Sequence, residues 1–377
     1  MRWKTKQLAE VADFSLGKML DDKKNKGEPR PYLANVNVRW GEFDLQDLRE
    51  MRFEEHELER FGLRQGDIVM CEGGEPGRCA IWNDSVPGMM IQKALHRIRP
   101  HDCLDHRFLF YAFLHKGSQG GFASLFTGST IKHLPREKLA MVEVSFPSLE
   151  DQRRIAETLS SYDDLIENNR RRMALLEESA RLLYREWFVH LRFPGHEHAR
   201  IIDGVPEGWT RTCLEELLVL QRGFDLPVQG RNPGVVPIYG STGIVGWHDV
   251  AKVPGPGIVT GRSGTLGQVC YVADDYWPLN TSLWVKEFKR VPPLFALFLL
   301  RELDLKQFNG GASVPTLDRK TVHRIEVLLP PTQMLADYSS LVSDNFMQIG
   351  NLNQQNQKLR AARDLLLPRL MSGEITP

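Results

Sequence analysis

Apolar and polar positions alternate by four and three over two long stretches of the chain. The first carries Ile155, Leu159, Tyr162, Ile166, Asn169, Met173, Leu176, Ala180, Leu183 and Trp187. That is a heptad seam with one polar interruption at Asn169. Arg170, Arg171, Arg172, Glu177 and Arg181 fall off the seam. Ser148, with Asp151 three residues on, has the spacing of a capping box and predicts where this helix starts. Phe193-Pro194-Gly195 predicts where it has stopped. The second stretch carries Tyr338, Val342, Asn345, Ile349, Leu352, Asn356, Leu359, Arg363, Leu366 and Leu370, with Pro368 predicting a kink and Gly373 a stop. A helix of about 40 residues spans about 60 Å. Two of them, each striped, predict an intramolecular antiparallel coiled coil. The seam asparagines either set its register or face another subunit, and Asn345, Asn356 and Arg363 leave the pairing of the second helix open.

Outside these stretches, strand-like runs (Gly66 to Met70, Pro256 to Thr260) and helix-like apolar runs (Phe108 to Leu114, Leu294 to Leu300) mix with many turns. The chain also repeats itself. Gly128-Ser129-Thr130-Ile131-Lys132-His133-Leu134-Pro135-Arg136 lines up with Gly311-Ala312-Ser313-Val314-Pro315-Thr316-Leu317-Asp318-Arg319 at an offset of 183, and the Glu-Val pairs at 143 and 326 keep that offset. Upstream, Ile68 to Gly77 lines up with Ile258 to Gly267 at an offset of 190, each an apolar strand running into a glycine turn. Each copy ends in a short strand, a proline and a long helix. The expected fold is therefore α+β and pseudo-two-fold symmetric: a mixed domain over 1–147, a long helix over 148–192, a linker and second mixed domain over 193–331, and a second long helix over 332–377.

Composition narrows the function. The 377 residues are 42% hydrophobic and 25% charged, an ordinary globular balance. No apolar run of about 18 residues is present, and Met1-Arg2-Trp3-Lys4-Thr5-Lys6 lacks the apolar core of a signal peptide, so the expectation is a cytoplasmic protein without membrane contact. Five cysteines without a Cys-x-x-Cys argue against a disulfide framework or structural zinc, and Cys71 and Cys79 read as buried strand residues. Forty-eight basic residues balance 48 acidic ones, which excludes an indiscriminate nucleic-acid coat but leaves room for local basic patches. The P-loop, the Rossmann fingerprint and the Asn/Asp-Pro-Pro-Tyr/Phe tetrapeptide of amino-methyltransferases are all missing. His96, His101 and His106 recur every five residues, which places them on no common helix face; solvated or base-contacting roles fit them better than metal binding.

What is present suits nucleic acid. Gly128 to His133 offers small residues, hydroxyls and two bases on one loop, suited to phosphates. Gln92-Lys93 with His96-Arg97 and Arg99 is a local basic cluster, and Tyr32, Asn35, Asn37 and Arg39 gather aromatic, amide and guanidinium groups. Arginine to guanine and asparagine or glutamine to adenine are the usual base-reading pairs. Solvated surface explains such clusters equally well on their own. Two diverged domains held by a helical strut favour DNA, because a duplex can offer two half-sites about 34–36 Å apart. Each domain would then read its own half of an asymmetric site.

Glu150 to Ala156, Leu183 to Val189, Arg192-Phe193-Pro194-Gly195 and the terminal Arg363-Asp364-Leu365-Leu366-Leu367-Pro368-Arg369-Leu370-Met371-Ser372-Gly373 resemble the conserved regions of type I restriction–modification specificity (S) subunits. Cys71 to Arg78, Gly128 to Pro135 and Tyr239-Gly240-Ser241-Thr242-Gly243 are similar to the same family. The resemblance implies a non-catalytic subunit with two target-recognition domains. Its partners would be double-stranded DNA, two methyltransferase subunits and motor–nuclease subunits. S-adenosylmethionine, ATP and magnesium would sit on those partners, with none in this chain, and adenine would be methylated in each half-site. Candidate DNA contacts are Tyr32, Asn35, Asn37, Arg39, Arg78, Gln92, Lys93, His96, Ser129, Thr130 and Lys132 in the first copy. In the second they are Arg222, Tyr239, Ser241, Thr242, Arg262, Ser263, Asn280, Thr281 and Ser313. Trp187, Phe188, Leu366 and Leu367 become candidate methyltransferase contacts, with helix-core burial an equal alternative. A free-standing enzyme with degenerate motifs and a coiled-coil scaffold without a DNA role are the rival readings.

Overall fold

The computed structural model describes residues 3–21, 25–311 and 313–377; Met1 and Arg2 of the N-terminal string and Ala312 of the repeat lie outside the described residues. The chain forms two compact units, one of Met1–Asn168 with Asn356–Pro377, the other of Asn169–Gln355. The division runs through both long helices, so each unit owns one stretch of each.

In the first unit, Ile68–Cys71 is the run Ile-Val-Met-Cys, apolar at every position. Such a run suits a strand buried on both faces, and that is where it lies. The strand sits inside a four-stranded antiparallel sheet, flanked by Leu95–Pro100 and Cys79–Ile81, with Ala12–Leu16 at the far edge. Ile68 and Met70 pack towards Phe108, Leu109 and Phe113 of the helix His106–Ser118, and towards Ile155, Ala156 and Leu159 of the first long helix. Val69 and Cys71 face the other way, among Leu33, Trp82 and Ile91. Asp105 caps the His106–Ser118 helix, its Oδ1 accepting from the Arg107 and Phe108 amides at 3.0 Å each. A second sheet, Arg49–Phe53, Glu28–Leu33 and Met90–Ile91, has its last pair parallel.

The second unit repeats this plan. Gly257–Gly261 is the buried strand between Ser282–Phe288 and Val269–Val272, with Leu218–Arg222 at the edge. Gly243–His248, Val236–Gly240 and Trp277–Pro278 form the smaller sheet, again with a parallel pair. Leu8 N–H donates to Val142 O at 2.8 Å, and in the second unit Leu214 N–H donates to Ile325 O at 2.9 Å. The duplication expected from the sequence is present down to individual main-chain hydrogen bonds.

The first long helix spans Leu149–Tyr184 and closes in a π turn, Arg185–Val189. Ser148 Oγ accepts the Asp151 amide at 3.3 Å and donates to its carboxylate at 2.8 Å. The second long helix spans Thr332–Met371, running on through Pro368, and Gly373 at φ 76° follows it. Within each unit the two run antiparallel. Asn345 donates to Leu176 O and Tyr338 to Ala180 O in the second unit, and Asn356 to Ile166 O in the first. The polar seam positions Asn345 and Asn356 thus face the other helix of this chain, and Arg363 completes the pairing with a hydrogen-bonded ion pair to Asp163. Tyr111 fixes that carboxylate from the side, its hydroxyl donating at 2.6 Å.

Of the four residues left open between helix core and partner contact, Trp187, Phe188 and Leu367 are buried in the core. Trp187 and Phe188, in the π turn, pack with Tyr184 and Tyr338 in the second unit's interior, and Phe188 also meets Phe295 edge-on at 4.9 Å. Leu367 is buried in the first unit's core and Leu366 is partly buried against it. No helix of the described residues is long and apolar enough to cross a membrane.

Candidate nucleic-acid interface

In each unit the buried central strand delivers its chain into a glycine turn, and a second loop docks beside that turn. In the first unit, the turn is Glu72 to Gly77. Leu134 N–H donates to Glu72 O at 2.7 Å, and Thr127 and His133 exchange main-chain hydrogen bonds at 2.8 and 2.9 Å. The loop between them therefore stands as a closed tip on which Ser129, Thr130, Ile131 and Lys132 are exposed. His133 Nδ1 lies 3.1 Å from Glu72 Oε2, pinning the base of the tip to the turn. Gly74 has φ 82°, and a Cβ there would come within 2.7 Å of Asn35 Nδ2, so the turn depends on glycine. Asn35 Nδ2 reaches Gly73 O at 3.5 Å, while Arg78 donates to Asn35 O at 2.9 Å and pairs with Glu75 at 2.7 Å. Asn35, Arg78, Ser129, Thr130 and Lys132 therefore belong to one polar platform.

Other expected contacts of the first copy lie elsewhere. Tyr32 is a core residue beside Met51 and Phe53. Asn37 is buried, its amide accepting from Ala34 N–H at 2.9 Å and donating to Asp44 O at 3.0 Å, so it shapes the loop instead of reaching out. His96 has no exposed surface; its ring bonds Leu134 O at 2.8 Å, and burial pushes its pKa below the ordinary value. The expected basic cluster is dismantled in the same way. Arg97 is buried on Glu59 O and Gly62 O, and Arg99 makes a bidentate pair with Asp67 at 2.7 Å per bond. His101 faces Asp13 and His106 is half-buried, so the three histidines share no site. Lys93 is exposed and Gln92 half-buried, its Oε1 accepting the Ala94 amide at 3.1 Å. Arg39 is exposed, holding Val36 O at 2.7 Å beside a cleft of about 270 Å³.

The second unit assembles more of its expected set. Arg262 N–H and Ser263 N–H both donate to Thr281 O, at 2.9 and 3.1 Å, and Leu317 N–H donates to Arg262 O at 2.8 Å. Arg262 Nε donates to Asn280 O at 2.8 Å, Asn280 donates to the Asp225 carboxylate, and Arg222 faces that same carboxylate at 3.8 Å. Ser241 borders Gly264, and Thr281 Oγ1 borders Gly240. Thr242 and Ser313 are exposed at the tips of their turns. Tyr239 is the exception: it is buried, and burial pushes its phenol up to about 12.

Sequence reading missed Glu72 and Asp225, acidic groups that organise these platforms, and it gave His133 to phosphates where the ring faces Glu72. It also missed Ile244, Val245 and Trp247, exposed apolar residues along one hairpin strand of the second unit. The repeat alignment carried a signal for Glu72, since it sets that residue opposite Arg262. Among the described residues, no group of three or more His, Cys, Asp or Glu could hold a metal ion.

Residues 1–178 match the family described as "Type I restriction modification DNA specificity domain". The chain is 24% identical to the type I restriction enzyme MjaIX specificity subunit of Methanocaldococcus jannaschii over 99% of its own length and 93% of that protein. A shorter stretch, 18% of the chain and 15% of the relative, is 33% identical to the HindI specificity subunit of Haemophilus influenzae. In fold, the chain is similar to the S subunit of the type I restriction–modification system of M. genitalium. The TM-score is 0.56 at 19% identity, covering 98% of this chain and 96% of that one.

Proposed function

Because residues 1–178 match the type I restriction modification DNA specificity domain and 99% of the chain aligns with a type I specificity subunit, we propose that this chain is a specificity subunit of a type I restriction–modification system, that each unit's platform reads one half of a split DNA sequence, and that the chain itself performs no bond chemistry. The observation that carries this reading is the duplicated platform: main-chain hydrogen bonds are kept between the copies while the side chains on them differ. Two unlike readers in one chain suit an asymmetric bipartite site better than a palindrome. Methyl transfer to adenine in each half-site falls to two methyltransferase subunits carrying S-adenosylmethionine. Translocation and cleavage fall to motor–nuclease subunits that use ATP and magnesium. The absence of a P-loop and of the methyltransferase tetrapeptide from the sequence agrees with that division of labour. Exposed hydroxyls, main-chain amides and Lys132 on the first tip suit phosphate contacts, which position a protein without carrying sequence information.

The test is selection of duplexes from a random pool by the full chain assembled with a type I modification subunit. Enrichment of a motif split by a non-specific spacer is expected. Enrichment of nothing, or of one uninterrupted motif, overturns the reading.

A further inference from the structure

Glu72 and Arg262 occupy the same place in the two units. Each is the first residue after the buried central strand. Glu72 N–H donates to Ala94 O at 2.8 Å and its carbonyl accepts Leu134 N–H at 2.7 Å; Arg262 N–H donates to Thr281 O at 2.9 Å and its carbonyl accepts Leu317 N–H at 2.8 Å. With the main chain held identically on both sides, the two side chains start from equivalent points beside equivalent tips. One is an obligate acceptor, the other an obligate donor.

Neither side chain is used up by the fold. The Glu72 side chain keeps 20% of its surface exposed, and His133 engages Oε2 alone. Arg262 is half-buried and spends Nε on Asn280 O, leaving both Nη groups without a protein partner among the described residues. A carboxylate beside a duplex is repelled by the phosphates. What a duplex offers it in the major groove is an exocyclic amine, cytosine N4 or adenine N6. A guanidinium finds its best base partner in guanine O6 and N7.

We propose that Glu72 and Arg262 are the matched specificity determinants of the two units. Glu72, oriented by His133, accepts from an amino-bearing base in the first half-site, and Arg262, oriented by Asn280, donates to a guanine in the second. The assignment rests on the DNA-recognition reading above and goes further, naming the atoms read. It also makes the acid-for-base exchange between copies a source of the site's asymmetry.

The competing role for Glu72 is merely to pin the tip through His133. Pinning affects all sequences alike, whereas reading changes one base in one half-site, so base preference is the deciding measurement. Wild-type chain and the variants Glu72→Gln, Glu72→Asp, His133→Asn and Arg262→Gln, each assembled with the modification subunit, select duplexes from a pool randomised in both half-sites. Glu72→Gln is expected to lose preference at a single position of one half-site by about tenfold or more, leaving the other half-site unchanged. Glu72→Asp keeps the same base at reduced affinity, and Arg262→Gln relaxes one position in the opposite half-site. His133→Asn weakens binding without changing the motif. The proposal is overturned if Glu72→Gln selects the wild-type motif, or if it only weakens binding uniformly while circular dichroism shows it folded. Should Glu72→Gln not fold, the Arg262→Gln and Glu72→Asp motifs decide by the same criterion. If wild type itself enriches no split motif, it is the DNA-recognition reading that has failed.

Discussion

His96 sits in the interior beneath the first unit's platform, and its protonation is coupled to folding. Burial lowers its pKa from the ordinary 6.5, outweighing the Leu134 carbonyl and the Glu72 charge, which both favour the protonated ring. The unfolded chain therefore takes up a proton near pH 6.5 that the native ring refuses. The stability this site contributes is whole above that pH and is lost as the pH falls through it. Melting of the wild-type protein between about pH 7.5 and about pH 5 should show this decline. His96→Gln, which retains a donor for Leu134 O, should flatten it, and an unaltered pH dependence in the variant would remove His96 as the cause. The same residue marks how far sequence reading goes at this scale. The chemical types in Gln92 to Arg99 were legible, but a strand alternates its faces and hydrogen-bonds its neighbours. Arg97 and Arg99 found Gly62 O and Asp67, partners more than 30 residues away that no local pattern reveals.

Among the elements, the two long helices were the most legible, because a four-three spacing sustained over ten positions has few competing explanations. Their polar seam positions were not. Asn345 and Asn356 bond main-chain carbonyls across the helix pair, and a carbonyl leaves no mark in a sequence. Such contacts hold register at some cost in stability relative to an apolar seam. For Trp187 and Phe188 the sequence left helix-core packing and a partner contact equally open, and both are buried where the helix closes in a π turn. Their burial makes Phe188 a stability residue. Phe188→Ala should cost about 3–5 kcal/mol in denaturant unfolding of the full chain. A cost within about 0.5 kcal/mol, the range of ordinary surface substitutions, would return Phe188 to the list of interface candidates.

For the molecule as a whole, the duplication was readable because glycines and strand ends recur at steady offsets, whereas the platforms were only half readable. Exposed tip residues such as Lys132 and Ser313 were found as small polar loops, but Glu72, which meets His133 at the base of the first tip, lies 61 residues earlier in the chain. Lys132 is exposed on a tip and has no role in holding it up. Lys132→Ala should accordingly weaken binding of all duplexes alike and reduce the salt dependence by about one unit of slope. Equal affinity and slope would turn that tip away from the duplex. The contacts that hold the tips have a further consequence. Thr127 to His133 and Gly310 to Thr316 are closed by the same amide-to-carbonyl bond, at 2.8 and 2.9 Å, although one tip reads Ser-Thr-Ile-Lys and the other runs through Ser-Val-Pro. Side chains enter this closure only at the bases, through His133 on Glu72 and Asn309 on the Gly311 and Thr316 amides, so the exposed positions between them carry little constraint on side-chain identity. Mutations can accumulate at the tips without unfolding either unit, so a lineage can acquire new target preferences one substitution at a time.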